Sequence, residues 1–189
     1  MNTTKGGGLL AFVAHDLPFT EIAIPPHVKQ LNTNIKIQII KINLNSKKSV
    51  HISNFYIPPR NLNADHSQED IAVTEYFRYV LSLESSIIFD DVNAHSQTWH
   101  SPTQDHRGQL IETILLESNQ FFLNEDTPTR LPNNQNQNAT SPDISTINSN
   151  LAQITSRQTL HKLSTDHLPI IITINAKEKI FELQQLNVH

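Results

Sequence analysis

The chain contains no cysteine, which excludes disulfides, thiolate nucleophiles and cysteine-ligated zinc while leaving the compartment open. Long apolar runs are missing too. Nothing in the sequence approaches the roughly 18 consecutive apolar residues of a spanning helix, and the start Met1-Asn-Thr-Thr-Lys5 lacks the apolar core of a signal peptide, so no membrane partner is expected. An excess of basic charge is the third absence: the formal net charge is -4. A protein that holds nucleic acid mainly by neutralising phosphates is basic, so contact with DNA or RNA here has to come from a local patch or a metal ion.

What is present describes a loop-rich chain. Hydrophobic residues make up 37% and charged residues 17%, with Asn, Gln, Ser and Thr filling the difference. The 189 residues suffice for a single domain with a substantial core. The expected division is one domain over residues 1–176 and a C-terminal tail over 177–189 with helical character. Scattered histidines such as His15, His27 and His189 are expected on the surface.

In chain order, Gly6-Gly-Gly8 precedes Leu9-Leu-Ala-Phe-Val-Ala14, an apolar run of strand length that His15-Asp16 and Pro18 end. The glycines lack the helix and the Lys-Ser/Thr of a phosphate-binding P-loop, so flexible entry or close backbone packing is the better reading. Alternation of apolar and polar residues over 35–44 and 50–57, with Asn45-Ser-Lys-Lys48 between, predicts a β-hairpin with one buried face. Pro58-Pro59 stops its second strand close after Tyr56. Ser67 reads as an N-cap, with Glu69 and Asp70 in the first turn of a helix through Leu83 whose apolar stripe is Ile71, Val73, Tyr76, Phe77, Val80 and Leu81.

Ile87–Phe89 then reads as a buried strand that ends in Asp91, Asn93 and His95. Residues two apart on an extended backbone project to one face, so these three can share a cleft while Val92 and Ala94 face the packed side. The plainer alternative is a strand capped by turn-forming Asp and Asn. Ser96–His106 has no periodicity and is expected to be a surface loop. Leu110, Ile111, Ile114 and Leu115 mark a second helix within 107–118. Phe121-Phe-Leu123 reads as a short buried strand, Thr127–Pro132 as a rigid turn, and Asn133–Asn138 as a mobile polar loop. A further strand starts at Ser141-Pro-Asp-Ile144. Asp166 and His167 stand immediately before the β-rich run to Ile174.

The ordered set Asp90-Asp-Val-Asn-Ala-His-Ser-Gln-Thr-Trp99, Arg107-Gly-Gln-Leu-Ile111, Leu123-Asn-Glu-Asp-Thr-Pro-Thr-Arg130, Thr140-Ser-Pro-Asp143 and Thr165-Asp-His-Leu-Pro169 resembles the endonuclease/exonuclease/phosphatase superfamily. It is most similar to the apurinic-endonuclease-like domain of non-LTR retrotransposons, whose motifs are G-D-F-N-A-H-H-x-x-W, R-G-x-x-L, L-N-x-x-x-P-T-R, S-x-P-D and S-D-H-x-P. The likeness extends upstream through Gly6–Leu10 and Tyr56-Ile-Pro-Pro59, so it spans nearly the whole chain and makes residues 1–176 a partial domain of this kind.

The resemblance implies an α/β (α+β) fold, a DNase I-like four-layer sandwich of two sheets flanked by helices, and hydrolysis of a phosphodiester in DNA assisted by Mg²⁺ or Mn²⁺. It implies that Asp91 orients or deprotonates the water, that Asn93 holds the water and the phosphate, and that His167 faces the phosphate with Asp143 on its other ring nitrogen. Tyr56 would contribute its hydroxyl, Asp166 a metal carboxylate, and His95, Thr129 and Arg130 substrate contacts. In intact relatives a reverse transcriptase follows in the same polyprotein, and access to the nucleus is expected.

Departures from the pattern are Asp90 for glycine, Ser96 for the second histidine and Thr165 for serine. Asp90 either turns to solvent or crowds Asp91 and disfavours ionisation of both. Family members also begin with an Asn-bearing strand, a helix and a strand ending in a metal-ligating Glu, all before the triple glycine, and nothing upstream of Gly6 supplies them. The expectation is an N-terminally truncated member with a weak cation site and little or no nuclease activity. Two alternatives stand beside it: a nucleic-acid-binding remnant without catalysis, and a hydrolase whose metal is held by Asp91, His95, His100 and His106.

Overall fold

The computed structural model describes residues 9–31, 34–44, 48–61, 65–134, 136–161, 163, 165–176 and 179–185. The triple glycine lies outside them. The main sheet is formed by β1 (Phe19–Glu21), β2 (Lys36–Asn43), β3 (Ser49–Tyr56), β4 (Ser86–Asp91), β5 (Gln120–Phe122) and β6 (Asp143–Asn148), in the order β1-β2-β3-β4-β6-β5. The second sheet has three antiparallel strands, β7 (Thr155–Thr159), β8 (Ile170–Ala176) and β9 (Lys179–Gln185). Helices α1 (Pro26–Lys29), α2 (Ser67–Leu81) and α3 (His106–Leu116), with short 3-10 turns at Gln97–Trp99 and Ala152–Ile154, complete the regular structure among the described residues.

The predicted hairpin is present, with Lys36 opposite Tyr56 and Asn43 opposite Ser49. It is buried on both faces rather than one. Ile39, Phe55 and Ile57 face a core shared with Val73, Phe77 and Val80 of α2 and with Ile111 and Leu115 of α3. Ile40, Ile42, Val50 and Ile52 face a second core with Ile170, Ile172 and Ile174 of β8. Burying each such side chain contributes about 1.5–3 kcal/mol, so the two cores fix the sheet between its helical layer and the small sheet. β3 runs parallel to β4 and needs α2 as the crossover between them. β4 lies centrally and all six of its residues are buried, Ser86, Asp90 and Asp91 included.

Several expectations change. Leu9–Ala14 forms no strand: Phe12 is 87% exposed, and only Val13 of the run packs on the second core. β propensity alone does not make a strand, because an isolated segment gains no ladder bonds. In the tail, Lys179–Gln185 is a strand paired along β8 and not a helix, and residues 177–178 and 186–189 lie outside the described residues. α2 ends at Leu81. Its cap position is His66, and Ser67 is the first helical residue, its N–H donating to Asp65 Oδ1 at 2.9 Å. Ile71 leaves the stripe, half exposed, and Ala72 takes the buried place. β5 lies at the sheet edge with Phe121 outward. The loop after Ser96 is partly interior: Ser96, Trp99 and Ser101 are buried, and Trp99 Nε1–H donates to the Ser141 carbonyl at 3.1 Å.

Candidate active site

Three neighbouring strands deliver side chains to one end of the main sheet. Tyr56, the last residue of β3, is paired in register with Asp91, the last of β4, and Asp91 lies opposite Asp143, the first of β6. Asp91 and Asp143 share the face of Ile87 and Ile147, which looks toward the small sheet. His167 arrives on the turn before β8, where its Nδ1–H donates to Asp143 Oδ2 at 2.9 Å. Oxygen and nitrogen donors of Asp91, Asp143 and His167 all lie within 4.8 Å of one another, and this is the one such group of possible metal ligands among the described residues.

The electrostatics follow from burial and from facing charges. Burial, and then the Asp143 carboxylate opposite, push Asp91 up to about 7, against the opposing pull of His167. For His167, burial works against the charged ring, but the Asp143 bond and the Asp143, Asp91 and Asp166 charges outweigh it and raise its pKa above the ordinary value. Tyr56 is raised too, by burial and by the Asp91 charge. Two carboxylates against one imidazole therefore leave a surplus of negative charge that a cation would relieve.

Thr129 is buried and holds this corner together. Its Oγ1 accepts from Asp143 N–H at 3.2 Å, and its carbonyl accepts from Leu168 N–H at 2.7 Å, so one residue ties the start of β6 to the histidine turn. Arg130 bridges to His167 through the backbone, and its Nε–H donates to Asp166 Oδ2 at 2.8 Å. Burial raises Asp166, but Arg130 outweighs it and holds that carboxyl below its ordinary value. Asp166 is thus paired with Arg130 and is not brought into the Asp91, Asp143 and His167 group. Asn124, to which the sequence reading gave no role, donates to the Asp143 carbonyl at 3.0 Å and accepts from Ser145 N–H at 2.7 Å, fixing the strand on both sides of Ile144.

The strict alternation of Asp91, Asn93 and His95 stops after Asp91. Asn93 has φ +43°, a left-handed conformation that Asn tolerates better than most side chains. Its N–H donates to Asp91 Oδ1 at 3.2 Å and its Nδ2 to the Ile57 carbonyl at 3.0 Å, so it braces the carboxylate against the end of β3. The backbone turn takes His95 elsewhere, to Ser101 Oγ at 2.8 Å. His100 lies 3.9 Å from Asp126 and His106 3.0 Å from Asp70. The histidine-ligated site expected as an alternative is therefore not assembled among the described residues, because each ring serves a different local contact.

Asp90 does not turn to solvent. It is fully buried on the side of Ile88 and Val92, and its Oδ1 accepts the Phe55 N–H. The β3–β4 register runs from His51–Ser86 to Ser53–Ile88 and resumes at Tyr56–Asp91, so the Asp90 side chain bonds β3 in the gap. Its Oδ2 has no partner, and burial, with the Asp91 and Asp143 charges, raises its pKa well above the ordinary value.

A family model described as endonuclease-reverse transcriptase matches residues 50–171, which hold every residue of this corner. Among solved structures, the endonuclease domain of TRAS1, a telomere-specific non-LTR retrotransposon, superposes with TM-score 0.68 at 21% identity, over 87% of this chain and 71% of that one. A 3' phosphatase, NExo from Neisseria bound to product DNA hairpin, gives TM-score 0.58 at 12% identity, over 86% and 71%. D. rerio TDP2 complexed with single strand DNA product gives 0.50 at 10% identity, over 82% and 65%. These superpositions establish a shared DNase I-like fold. No curated protein sequence matches the chain. With the family model covering well over half of its length, the chain belongs to the endonuclease-reverse transcriptase family.

Proposed function

We propose that the chain hydrolyses a phosphodiester of DNA with the help of a divalent cation, and that it does so slowly. The observation that carries this reading is the convergence of Tyr56, Asp91 and Asp143 from three adjacent strands with His167 bonded to Asp143. Asp91 orients the attacking water and accepts its proton, its carboxylate held by the Asn93 N–H. His167, kept in one tautomer by Asp143, presents its other nitrogen to the phosphoryl oxygens as a charged donor. The Tyr56 hydroxyl adds a neutral donor beside Asp91. Arg130 turns to DNA phosphate or stays with Asp166, and His95 serves the loop through Ser101.

The donor set fits a hard ion such as Mg²⁺ or Mn²⁺, with Asp91 and Asp143 as the residues that would hold it and Asp166 able to join only by leaving Arg130. When bound, such an ion supplies neutralisation of charge at the phosphoryl group. Among the described residues no glutamate joins the group. Affinity rises with the number of anionic ligands, so two carboxylates make a weak site and slow turnover.

Nicking of supercoiled plasmid across a Mg²⁺ and Mn²⁺ series tests the reading. Expected is slow nicking that keeps rising with metal concentration and is lost in Asp91→Ala and His167→Ala. Salt-dependent DNA binding with no nicking at any metal concentration would favour the non-catalytic binder instead.

A further inference from the structure

Behind the catalytic corner lies a buried arginine that the chemistry above does not use. Arg107, the second residue of α3, is 1% exposed. Its Nη1 donates to the carbonyls of Val92 at 2.8 Å and Asn93 at 3.0 Å, and its Nη2 donates to the Pro58 carbonyl at 2.9 Å. Nη2 and Nε also reach Glu69 Oε1, at 2.8 and 3.3 Å. A guanidinium has five N–H donors in a fixed fork, and here five contacts use that fork. Three of the acceptors are main-chain carbonyls of the two loops that leave β3 and β4, immediately after Tyr56 and Asp91.

The carbonyls of Val92 and Asn93 flank the one residue of this loop with a left-handed backbone. Such a conformation costs about 1–3 kcal/mol for most residues and persists where its surroundings over-determine it. Arg107 supplies that constraint from beneath, while the Asn93 side chain supplies it from the side of Ile57. Glu69 at the start of α2 holds the far end of the fork. Burial raises Glu69, but Arg60 and Arg107 outweigh it and keep the carboxyl below its ordinary value. Glu69 also takes Arg60 Nε at 2.7 Å, which ties the segment after Pro58-Pro59 to α2.

The helix reaches this position because of the next residue. A Cβ on Gly108 would lie 1.9 Å from the His95 carbonyl oxygen, so only glycine lets the first turn of α3 press against the loop. Asp105 caps the same turn, accepting from Gly108 N–H at 2.6 Å while its own N–H donates to that His95 carbonyl at 3.0 Å.

We infer that Arg107, anchored by Glu69, is the positioning residue that sets the Asp91–Asn93 loop and the end of β3 at their mutual distance for attack on the phosphodiester. It touches no substrate. The inference rests on the hydrolysis proposed above for its rate readout, and on hydrogen exchange for a readout that needs no activity.

The test compares wild type, Arg107→Lys and Glu69→Gln. Lysine keeps the charge, but one nitrogen cannot span three separated carbonyls. In Arg107→Lys the nicking rate at saturating plasmid should fall about a hundredfold, the penalty of an ångström-scale misplacement, with half-saturating plasmid little changed. Exchange of the Ile57, Val92 and Asn93 amides should quicken on the order of tenfold while Ile87 and Ile88 stay protected, because the loop loosens and the strand does not. Glu69→Gln should give the same pattern more weakly. Wild-type exchange at all five amides in Arg107→Lys would overturn the inference. So would loosening spread evenly over β4, which makes Arg107 a general stabiliser. Local loosening in a chain whose wild type does not nick would uphold the positioning role and overturn the proposed hydrolysis instead.

Discussion

At the scale of single residues, Asp90 is where the fold carries an internal conflict. Its carboxyl has a raised pKa in the folded chain because it is buried, with the Asp91 and Asp143 charges adding to the shift. In the unfolded chain it ionises near the ordinary value of about 4. A raised folded-state pKa contributes stability below the unfolded pKa and loses it as pH climbs toward the folded value. Asp90→Asn keeps an acceptor for the Phe55 N–H and removes the ionisation. Thermal melts should show Asp90→Asn close to wild type at pH 4 and more stable at pH 8, each kcal/mol appearing as about 2–4 °C. Equal melting differences at the two pH values would mean that Asp90 is not the titrating group. Trp99 presents the opposite case, a buried ring stacked on Phe122 with its indole N–H satisfied. Trp99→Ala should cost about 3–5 kcal/mol in denaturant unfolding.

At the scale of elements, the approach of α3 to the loop after β4 depends on Gly108. Alanine is the better helix former by about 1 kcal/mol, but overpacking typically costs about 1–3 kcal/mol, and a Cβ 1.9 Å from a backbone oxygen lies at the costly end. Gly108→Ala should therefore lower the melting temperature by several degrees, and a rise would show that α3 can shift away freely. The elements readable from sequence were those with a strong period: the β2–β3 hairpin, α2 and α3 all carry their apolar residues at the spacing of their backbone. Leu9–Ala14 and Lys179–Gln185 depart from what their sequence predicts because strand or coil there is decided by whether a partner strand lies alongside. The same holds within the site. Asp91, Asp143 and His167 were legible as strand-end residues in a motif order, whereas the turn at Asn93 that sends His95 to Ser101 has no periodic signature. The Arg130 pair that occupies Asp166 joins residues far apart in sequence, so no local spacing shows it.

At the scale of the whole molecule, four groups at one end of the sheet, Tyr56, Asp90, Asp91 and His167, have raised pKa values. Each contributes stability at low pH that is lost as pH rises: for Asp91 from about 4 to about 7, for His167 from about 6.5 upward. The metal-free chain should accordingly melt at a lower temperature at pH 8 than at pH 5. Added Mg²⁺ should narrow that gap, because an ion that binds only the folded site stabilises it by mass action. A gap untouched by high Mg²⁺ would argue that the carboxylates hold no cation.

The central claim is that Asp91, Asp143 and His167 form one phosphodiesterase site. The most direct test is plasmid nicking by the full chain in Mg²⁺ and in excess chelator, for wild type, Asp91→Asn and His167→Ala. Predicted is slow wild-type nicking that chelator abolishes and that each substitution lowers by about 10²–10⁴-fold. Wild-type nicking that survives either substitution, or no nicking at any Mg²⁺ concentration, would contradict it.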